Sequence, residues 1–271
     1  MAVKPFLKWA GGKFRILDTI LAEIPAGTRF VEPFAGSCAV YLNVVAEKAL
    51  VGDSNSDLIG LYKNIQNDGE DFIQYCRAFF VPENNTKERY LHIRERFNST
   101  SDQREKSAIL LYLNRHSFNG LVRYNSKGGF NVPFGKYVSP YFPLEELRVF
   151  HRKTQRTDTE FVCADFRTLF KVLEQGDVVY CDPPYVPLSA TASFTTYAGN
   201  VFSAKDQAEL AGLAEAASKR GIPVILSNHD TEETRFLYAC AEVRTFNVQR
   251  FISCNGSGRG TAPELLAIFK E

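Results

Sequence analysis

Residues 177–185 read Asp177-Val178-Val179-Tyr180-Cys181-Asp182-Pro183-Pro184-Tyr185. A short apolar run stops abruptly at a carboxylate and two prolines. An unbroken apolar run of this length marks a strand covered on both faces, as in a parallel sheet. In open α/β sheets ligands bind beyond the carboxyl ends of the strands, so the 182–185 turn is the first place to look for chemistry. The prolines fix φ and remove two backbone donors. What remains is acceptor-rich: the Asp182 carboxylate and the turn carbonyls, Pro183 foremost, with the flat face of Tyr185 beside them. Such a turn suits a planar ring bearing an NH2 group, whose two N–H bonds point at Asp182 and Pro183 while Tyr185 stacks on the ring. Attack of a conjugated amine on an electrophilic methyl makes the nitrogen tetrahedral and positive. Two acceptors stabilise that state more than the planar ground state. A plain proline turn with an aspartate cap reads the same way from these four residues.

Outward from this point the texture repeats. Residues 30–32, 49–52 and 222–226 are further short apolar runs, and 14–23, 37–47 and 204–219 carry helical patterns. Strands alternating with helices predict an open α/β sheet. The end differs: 242–253 and 265–269 read as strands of an antiparallel hairpin across the Gly/Ser-rich turn 255–260. The middle breaks the alternation. Stretches 57–98 and 106–113 are helical by periodicity, and 114–143 is rich in Gly, Asn, aromatics and Arg. We therefore expect a mostly helical domain, 57–145, inserted into a discontinuous domain of 1–56 and 146–271.

The 271 residues are 45% hydrophobic, enough for a real core. No apolar run of about 18 residues is present, so no membrane span is expected, and the N-terminal segment does not read as a secretory signal. The six cysteines form no CxxC pair, which argues against a zinc site and for reduced thiols. Net charge is +1. Between Lys87 and Lys136, however, ten basic residues face four acidic ones, a local excess of 10 − 4 = +6. A confined basic surface suits phosphate contact; alternating signs over 87–106 also suit a solvated helix face.

Two more motifs carry chemistry. Phe30-Val-Glu-Pro-Phe-Ala-Gly-Ser37 runs strand, tight turn, helix start; Gly36 permits close backbone approach to a ligand and Ser37 can cap. At the end of the next strand Asp53 is placed for the two ribose hydroxyls of an adenosyl group, or for a helix cap, a role for which Asn55 and Ser56 compete. Lys8-Trp9-Ala10-Gly11-Gly12-Lys13 evokes a Walker loop but fails its spacing. Its Trp9, alone of its kind, reads as the cover of a ligand.

Taken together the sequence resembles the Dam-type DNA adenine methyltransferases. The likeness spans nearly the whole chain: FLKWAGGK at 6–13, FVEPFAGS at 30–37, GDSNSDL at 52–58, LNRHSFNGLVRYN at 113–125, FNVPFGKY at 130–137, YCDPPYVPLSATASFT at 180–195, SNHD at 227–230 and ELLAIFK at 264–270. Cofactor motifs precede the recognition segment, which precedes DPPY, the order of the alpha class of amino-methyltransferases. The resemblance implies a Rossmann-like seven-stranded methyltransferase sheet with a terminal antiparallel hairpin and an inserted helical target-recognition domain. It implies S-adenosyl-L-methionine as cofactor, with S-adenosyl-L-homocysteine as product. Trp9, Lys13, Phe34, Gly36, Ser37, Asp53, Asp165, Phe166 and Asp182 would line the cofactor pocket, with Asp165 and Phe166 on the adenine. Catalysis would fall to Asp182, Pro183, Pro184 and Tyr185. Lys8, Phe118, Asn119, Leu121, Arg123, Pro133 and Tyr137 would meet DNA, with Arg123 reading a guanine through O6 and N7 and Phe118 filling the gap left by a flipped adenine. The implied target is GATC in duplex DNA, with no metal. The implied setting is a monomer in a bacterial or phage-infected cytoplasm, serving replication, repair or restriction–modification. Cys38 stands where the family often has Gly and Phe118 where it usually has Tyr; His116, Ser117 and Val122 also depart from the commonest pattern. RNA adenine, N4 of cytosine, or a catalytically silent DNA-binding module are the competing readings.

Overall fold

In this computed structural model residues 2–186, 202–249 and 261–270 are described. Residues 187–195 of the DPPY motif, the 250–253 end of the sixth strand, Cys254 and the 255–260 turn lie outside the described residues.

Seven strands form one sheet: β1 (Arg29–Glu32), β2 (Lys48–Asp53), β3 (Asp158–Cys163), β4 (Asp177–Cys181), β5 (Val224–His229), β6 (Glu242–Gln249) and β7 (Thr261–Phe269). Their order is β3-β2-β1-β4-β5-β7-β6. The first five pair in parallel, while β7 runs antiparallel to both neighbours. This is the Rossmann-like methyltransferase sheet. The expected antiparallel pair closes it, with β7 slotted between β5 and β6. All five residues of β4 are buried, which is why its sequence shows no alternation.

Among the described residues eight α-helices cover the sheet and fill the middle: α1 (Leu17–Glu23), α2 (Ser56–Arg77), α3 (Lys87–Ser99), α4 (Gln103–His116), α5 (Leu144–Arg156), α6 (Phe166–Lys171), α7 (Ala204–Ser218) and α8 (Glu232–Leu237). All but α1 and α5 start at a side-chain acceptor that caps them. Asn55 accepts from the N–H groups of Asp57 and Leu58, Asp102 caps α4, and Ser203 with Asp206 forms a capping box on α7. The 57–98 stretch is thus two helices, α2 and α3, separated by 78–86.

One expectation fails outright. Residues 37–47 are a run of turns, not a helix. Gly36 and Cys38 both take positive φ, 44° and 59°, so the backbone leaves the α region where the helix would nucleate. The apolar pattern survives because Cys38–Leu42 are buried all the same.

An aromatic pile ties the middle to the sheet. Phe150 of α5 stacks on Tyr62 of α2 (5.1 Å between centroids) and on Phe161 of β3 (5.9 Å), and meets Phe6 edge-on at 5.1 Å. The core therefore runs unbroken across residue 57: Leu58, Tyr62 and Ile65 share it with Phe30, Val51 and Phe161. At the other end of the sheet Arg29 Nε and Nη2 donate to the two Asp177 oxygens at 2.9 and 2.7 Å. That fork locks β1 to β4 in register, and Arg29 faces Asp177 in the ladder.

Candidate active site

β1 is flanked by β2 on one side and β4 on the other, so chain direction across the sheet reverses there. A crevice forms at such a switch point, beyond the strand carboxyl ends. The turns after β1 and β4, 33–37 and 182–186, both open into it. A cavity there is lined by Trp9, Gly12, Lys13, Glu32, Phe34, Ala35, Gly36, Ser37, Ala39, Val40, Tyr180 and Asp182. The structure thus gathers Trp9, Lys13, Phe34, Gly36, Ser37 and Asp182 around one space.

The glycine turn is held from behind. Asp53, at the end of β2, accepts the Gly36 N–H on Oδ2 (3.1 Å) and the Asn55 N–H on Oδ1 (2.9 Å), while the Tyr62 hydroxyl donates to the Gly36 carbonyl. Asn55, not Asp53, caps α2. Burial pushes the Asp53 carboxyl up, against the backbone N–H groups that hold it down. Trp9 lies flat against the turn: a Cβ on Gly36 would stand 2.8 Å from its Nε1. Phe166, at the start of α6, stacks on Phe34 at 5.5 Å and 28°. Asp165 caps α6 and is paired with Arg167, which also reaches Asp206 and Glu209 on α7. Asp53, Asp165 and Phe166 therefore border the cavity from the β2 and β3 side without being part of its wall.

Asp182 is half-buried. Its Oδ1 is 2.9 Å from Lys13 Nζ and accepts from the Ser227 hydroxyl at 2.9 Å. Lys13 is buried, donates to the Gly11 carbonyl at 2.6 Å and sits 4.5 Å from the centre of the Tyr185 ring. Tyr185 donates to Glu264 at 3.2 Å and meets His229 edge-on at 4.7 Å. The backbone beyond is fastened to β5 and α7. Val186 N–H donates to Asn228 Oδ1 at 3.0 Å, and Gln207 Nε2 donates to the Pro184 carbonyl at 2.6 Å. Among the described residues no hydrogen bond reaches the Pro183 carbonyl or Asp182 Oδ2; Asp182 lines the cavity, and Pro183 is buried behind it.

Sequence reasoning missed four residues here. Glu32 is 2% exposed in the cavity wall. Burial drives its carboxyl well above the usual range, against one N–H bond from Tyr41 and with Asp182 and Asp53 adding to the rise. An acid ending the apolar 30–32 run was its signal. Ser227 and Asn228 lie in the SNHD motif without an assigned role. Gln207 shares a helix face with Leu210, Ala211 and Ala214; a polar residue on an apolar stripe could have flagged it.

The second cluster lies on the 114–137 segment and the irregular N-terminal stretch around Lys8. Lys8 Nζ rests 4.1 Å over the Tyr137 ring, and its backbone N–H and C=O bond the Asn114 side chain at 2.9 and 2.7 Å. Burial and then Arg115 lower the Lys8 ammonium's proton affinity. Phe118 N–H donates to the Pro133 carbonyl at 2.8 Å. Asn119 holds φ at 55°, which turns the chain so that Phe118 remains 51% exposed, unlike most large aromatics here. Leu121 packs partly against the core. Arg123 Nε donates to Asn131 Oδ1 at 2.8 Å and Nη2 to the Asn131 carbonyl at 3.2 Å. The structure brings Lys8, Phe118, Pro133 and Tyr137 together and anchors Arg123 nearby on a separate hairpin-like bend. Several of the ten basic residues are spent internally: Arg96 pairs with Glu105, Lys106 with Asp57, and Arg104 with Asp68 and Asp71.

Comparison with known proteins agrees with this geometry. DNA adenine methylase of Vibrio cholerae serotype O1 is 49% identical over 267 residues, 98% of this chain and 96% of that protein. The DNA adenine methylase of Escherichia coli K12 is 46% identical, covering 98% and 95%. That of Serratia marcescens is 45% identical over 268 residues, covering 98% of each. Residues 9–251 match the family described as D12 class N6 adenine-specific DNA methyltransferase, a span that holds both the glycine turn and the acceptor turn. A cavity between those two turns, extended through a full-length likeness, leaves one conclusion: the chain belongs to the D12 class of N6 adenine-specific DNA methyltransferases.

Proposed function

We propose that this chain transfers the methyl group of S-adenosyl-L-methionine to N6 of an adenine turned out of duplex DNA at GATC. The observation that carries the reading is Asp182: it enters the cavity shared by Trp9, Lys13, Phe34 and Gly36, and among the described residues its Oδ2 accepts no hydrogen bond.

The residues present fit the cofactor. A Cβ at position 36 has no room beneath Trp9, so the turn is kept bare where a ligand would lie. The wall offers a cation, carboxylates and aromatic faces, the set needed for an amino acid head joined to an adenosine. Trp9, Lys13, Phe34, Gly36, Ser37 and Asp182 would hold the methionine part, and Asp53, Asp165 and Phe166 the adenosine. When bound, the cofactor supplies an electrophilic methyl on sulfur. Asp182 Oδ2 and the Pro183 carbonyl accept the two N6 hydrogens, fix the amine's direction and stabilise the positive charge that grows as nitrogen takes a fourth bond. Pro184 stiffens the turn and Tyr185 offers its face to the purine. Holding the amine in line supplies much of the remaining acceleration.

The 57–145 segment serves as the target-recognition domain, with α2 shared between it and the sheet. A base in the stack cannot present its amine to a buried donor, so the adenine flips out at a cost of a few kcal/mol, and exposed Phe118 fills the gap. Arg123 and Lys8 read the guanines; Asn119, Leu121, Pro133 and Tyr137 line the groove. No helix among the described residues is long and apolar enough to cross a membrane, in keeping with an enzyme that works on the DNA of a bacterial or phage-infected cell.

Asp182→Ala tests the reading. Methylation of a GATC duplex should fall at least about a hundredfold, while the circular dichroism spectrum and DNA binding persist. Activity above about 1% of the parent's rules out the role given to Asp182. Mapping modified bases in DNA from a methylation-free host that expresses the chain tests adenine and GATC together.

A further inference from the structure

We propose that Gln207 and Asn228 are positioning residues for methyl transfer: together they clamp the turn after β4 so that the Pro183 carbonyl, and not that of Pro184, is presented to the target amine. The inference rests on the proposed role of Asp182 and Pro183.

The proline rings set φ at 183 and 184, and Pro184 keeps ψ at 183 in the extended range, but the rings leave ψ at 184 unfixed. The direction of each carbonyl depends on ψ, so two prolines alone do not aim the whole turn. The structure supplies what they lack. Asn228, fully buried at the end of β5, accepts the Val186 N–H on Oδ1 at 3.0 Å. A backbone N–H can only donate, which settles the orientation of this amide. Its Nδ2 then donates to Gln207 Oε1 at 3.1 Å and to the Tyr238 hydroxyl at 3.0 Å. That in turn settles Gln207, 3% exposed on α7, whose Nε2 donates to the Pro184 carbonyl at 2.6 Å. The two amides form a one-way relay that begins at a backbone donor and ends at a backbone acceptor, both on the same turn and bracketing Tyr185. The three links at Asn228 are buried and the one at Pro184 partly so, and a hydrogen bond left unmade away from water is costly.

The relay occupies the Pro184 carbonyl and so restrains ψ at 184. With ψ at 183 held extended by the following proline, the Pro183 carbonyl is left as the acceptor that the relay does not use. Ser227, the neighbour of Asn228, holds Asp182 Oδ1 at 2.9 Å. One strand end, Ser227-Asn228, therefore sets the geometry of both acceptors, and Gln207 closes the arrangement from the helix side.

The test is single-turnover methylation of a GATC duplex by the full-length protein, beside calorimetric titration with S-adenosyl-L-methionine. Gln207→Met keeps the volume and removes the bond to Pro184. We expect the methylation step to slow by about ten- to a hundredfold, the scale of a misplaced reacting group, with cofactor and DNA dissociation constants changed less than about threefold. Gln207→Glu adds a readout that a packing role would not move. Its carboxylate faces the Pro184 carbonyl with no hydrogen to give, whereas its protonated form restores the donor. Its rate, relative to the parent at each pH, should recover as pH falls through the raised pKa of a buried acid. A Gln207→Met rate within twofold of the parent, or a flat relative pH profile for Gln207→Glu, overturns the proposal. Asp182→Ala, run in parallel, separates the two failures. If it too stays active, the site reading falls; if it is inactive while both Gln207 variants match the parent, only the clamp falls.

Discussion

Gly36→Ala is the sharpest probe of the cofactor cradle. Its φ of 44° belongs to the left-handed region, and an added Cβ would stand 2.8 Å from Trp9 Nε1 and 3.1 Å from its Cδ1. Two effects add. The backbone conformation costs a residue with a Cβ about 1–2 kcal/mol, less about 0.4–1 kcal/mol regained because alanine restricts the unfolded chain. The indole must also retreat by about 0.6 Å (3.4 − 2.8) to reach ordinary contact, an overpacking of about 1–3 kcal/mol. The net is a loss of about 1–5 kcal/mol, or roughly 2–10 °C in Tm for a chain of this size. Gly128→Ala isolates the first effect: its φ is 77°, also left-handed, yet nothing lies within 4 Å of the added carbon. Only the backbone cost applies there, so its Tm should fall by about 4 °C or less. Because Trp9 lines the cavity and shifts only in Gly36→Ala, that variant alone should bind S-adenosyl-L-methionine at least about tenfold more weakly, a fair share of the hundredfold that a 1 Å misplacement can cause. Thermal melts and calorimetric titration of both variants decide the matter. Equal Tm losses with parental cofactor affinity would refute the claim that Trp9 presses on the turn as part of the binding wall.

Three further outcomes are expected. Arg123→Ala should cut discrimination at one guanine of GATC by about 1–3 kcal/mol in kcat/KM against singly substituted duplexes; an equal loss on every sequence would make it a phosphate contact. Gly212→Ala should raise Tm by about 2–4 °C, because Gly212 lies in α7 with no atom near the new Cβ and alanine is worth up to about 1 kcal/mol more in a helix. His116 is held down to about 4 by burial and, less strongly, by Lys8 and Arg115, against the Tyr112 carbonyl that favours its protonated ring. Between pH 6.5 and 4 the unfolded chain then binds more protons than the folded one. This contribution is complete above 6.5 and is lost as pH falls towards 4, by at most about 3 kcal/mol. Denaturant titrations across that range should show His116→Phe with a shallower pH dependence than the parent, and coinciding slopes would show the ring is not buried in its neutral form.

The sheet was legible because burial on both faces leaves a plain mark. β1, β2 and β4 are unbroken apolar runs cut off by acid, glycine or proline, and their predicted bounds differ from the observed ones by a residue or two. Helix 37–47 misled for a physical reason: its periodicity reports burial, and Cys38 to Leu42 are buried, but positive φ at Gly36 and Cys38 is invisible to a pattern of polarity. The boundary at 57 is similarly blurred by tertiary packing. Phe150, Tyr62 and Phe161 lie far apart in sequence, and nothing local announces that they stack. In the site, residues with distinctive chemistry were found and amides were not. Asp182 stands out at a strand end, whereas Gln207 resembles any glutamine on a helix until Pro184 is seen against it.

The register of two strands connects these parts. The Arg29–Asp177 fork pins the leading ends of β1 and β4, so their trailing ends open into the same crevice and bring the glycine turn opposite the acceptor turn. A one-residue slip would reverse which side chains face which layer and would take Glu32 and Tyr180 from a shared wall. The electrostatics of that wall then follow from burial. Glu32 is raised far above its usual range by burial first, against the Tyr41 N–H bond, and by the neighbouring carboxylates next. Lys13 and Asp182 offset one another across 2.9 Å. Lys13 therefore leaves no uncompensated cation beside Asp182. A wall so balanced suits the proposed reaction, in which positive charge grows on an amine held by Asp182.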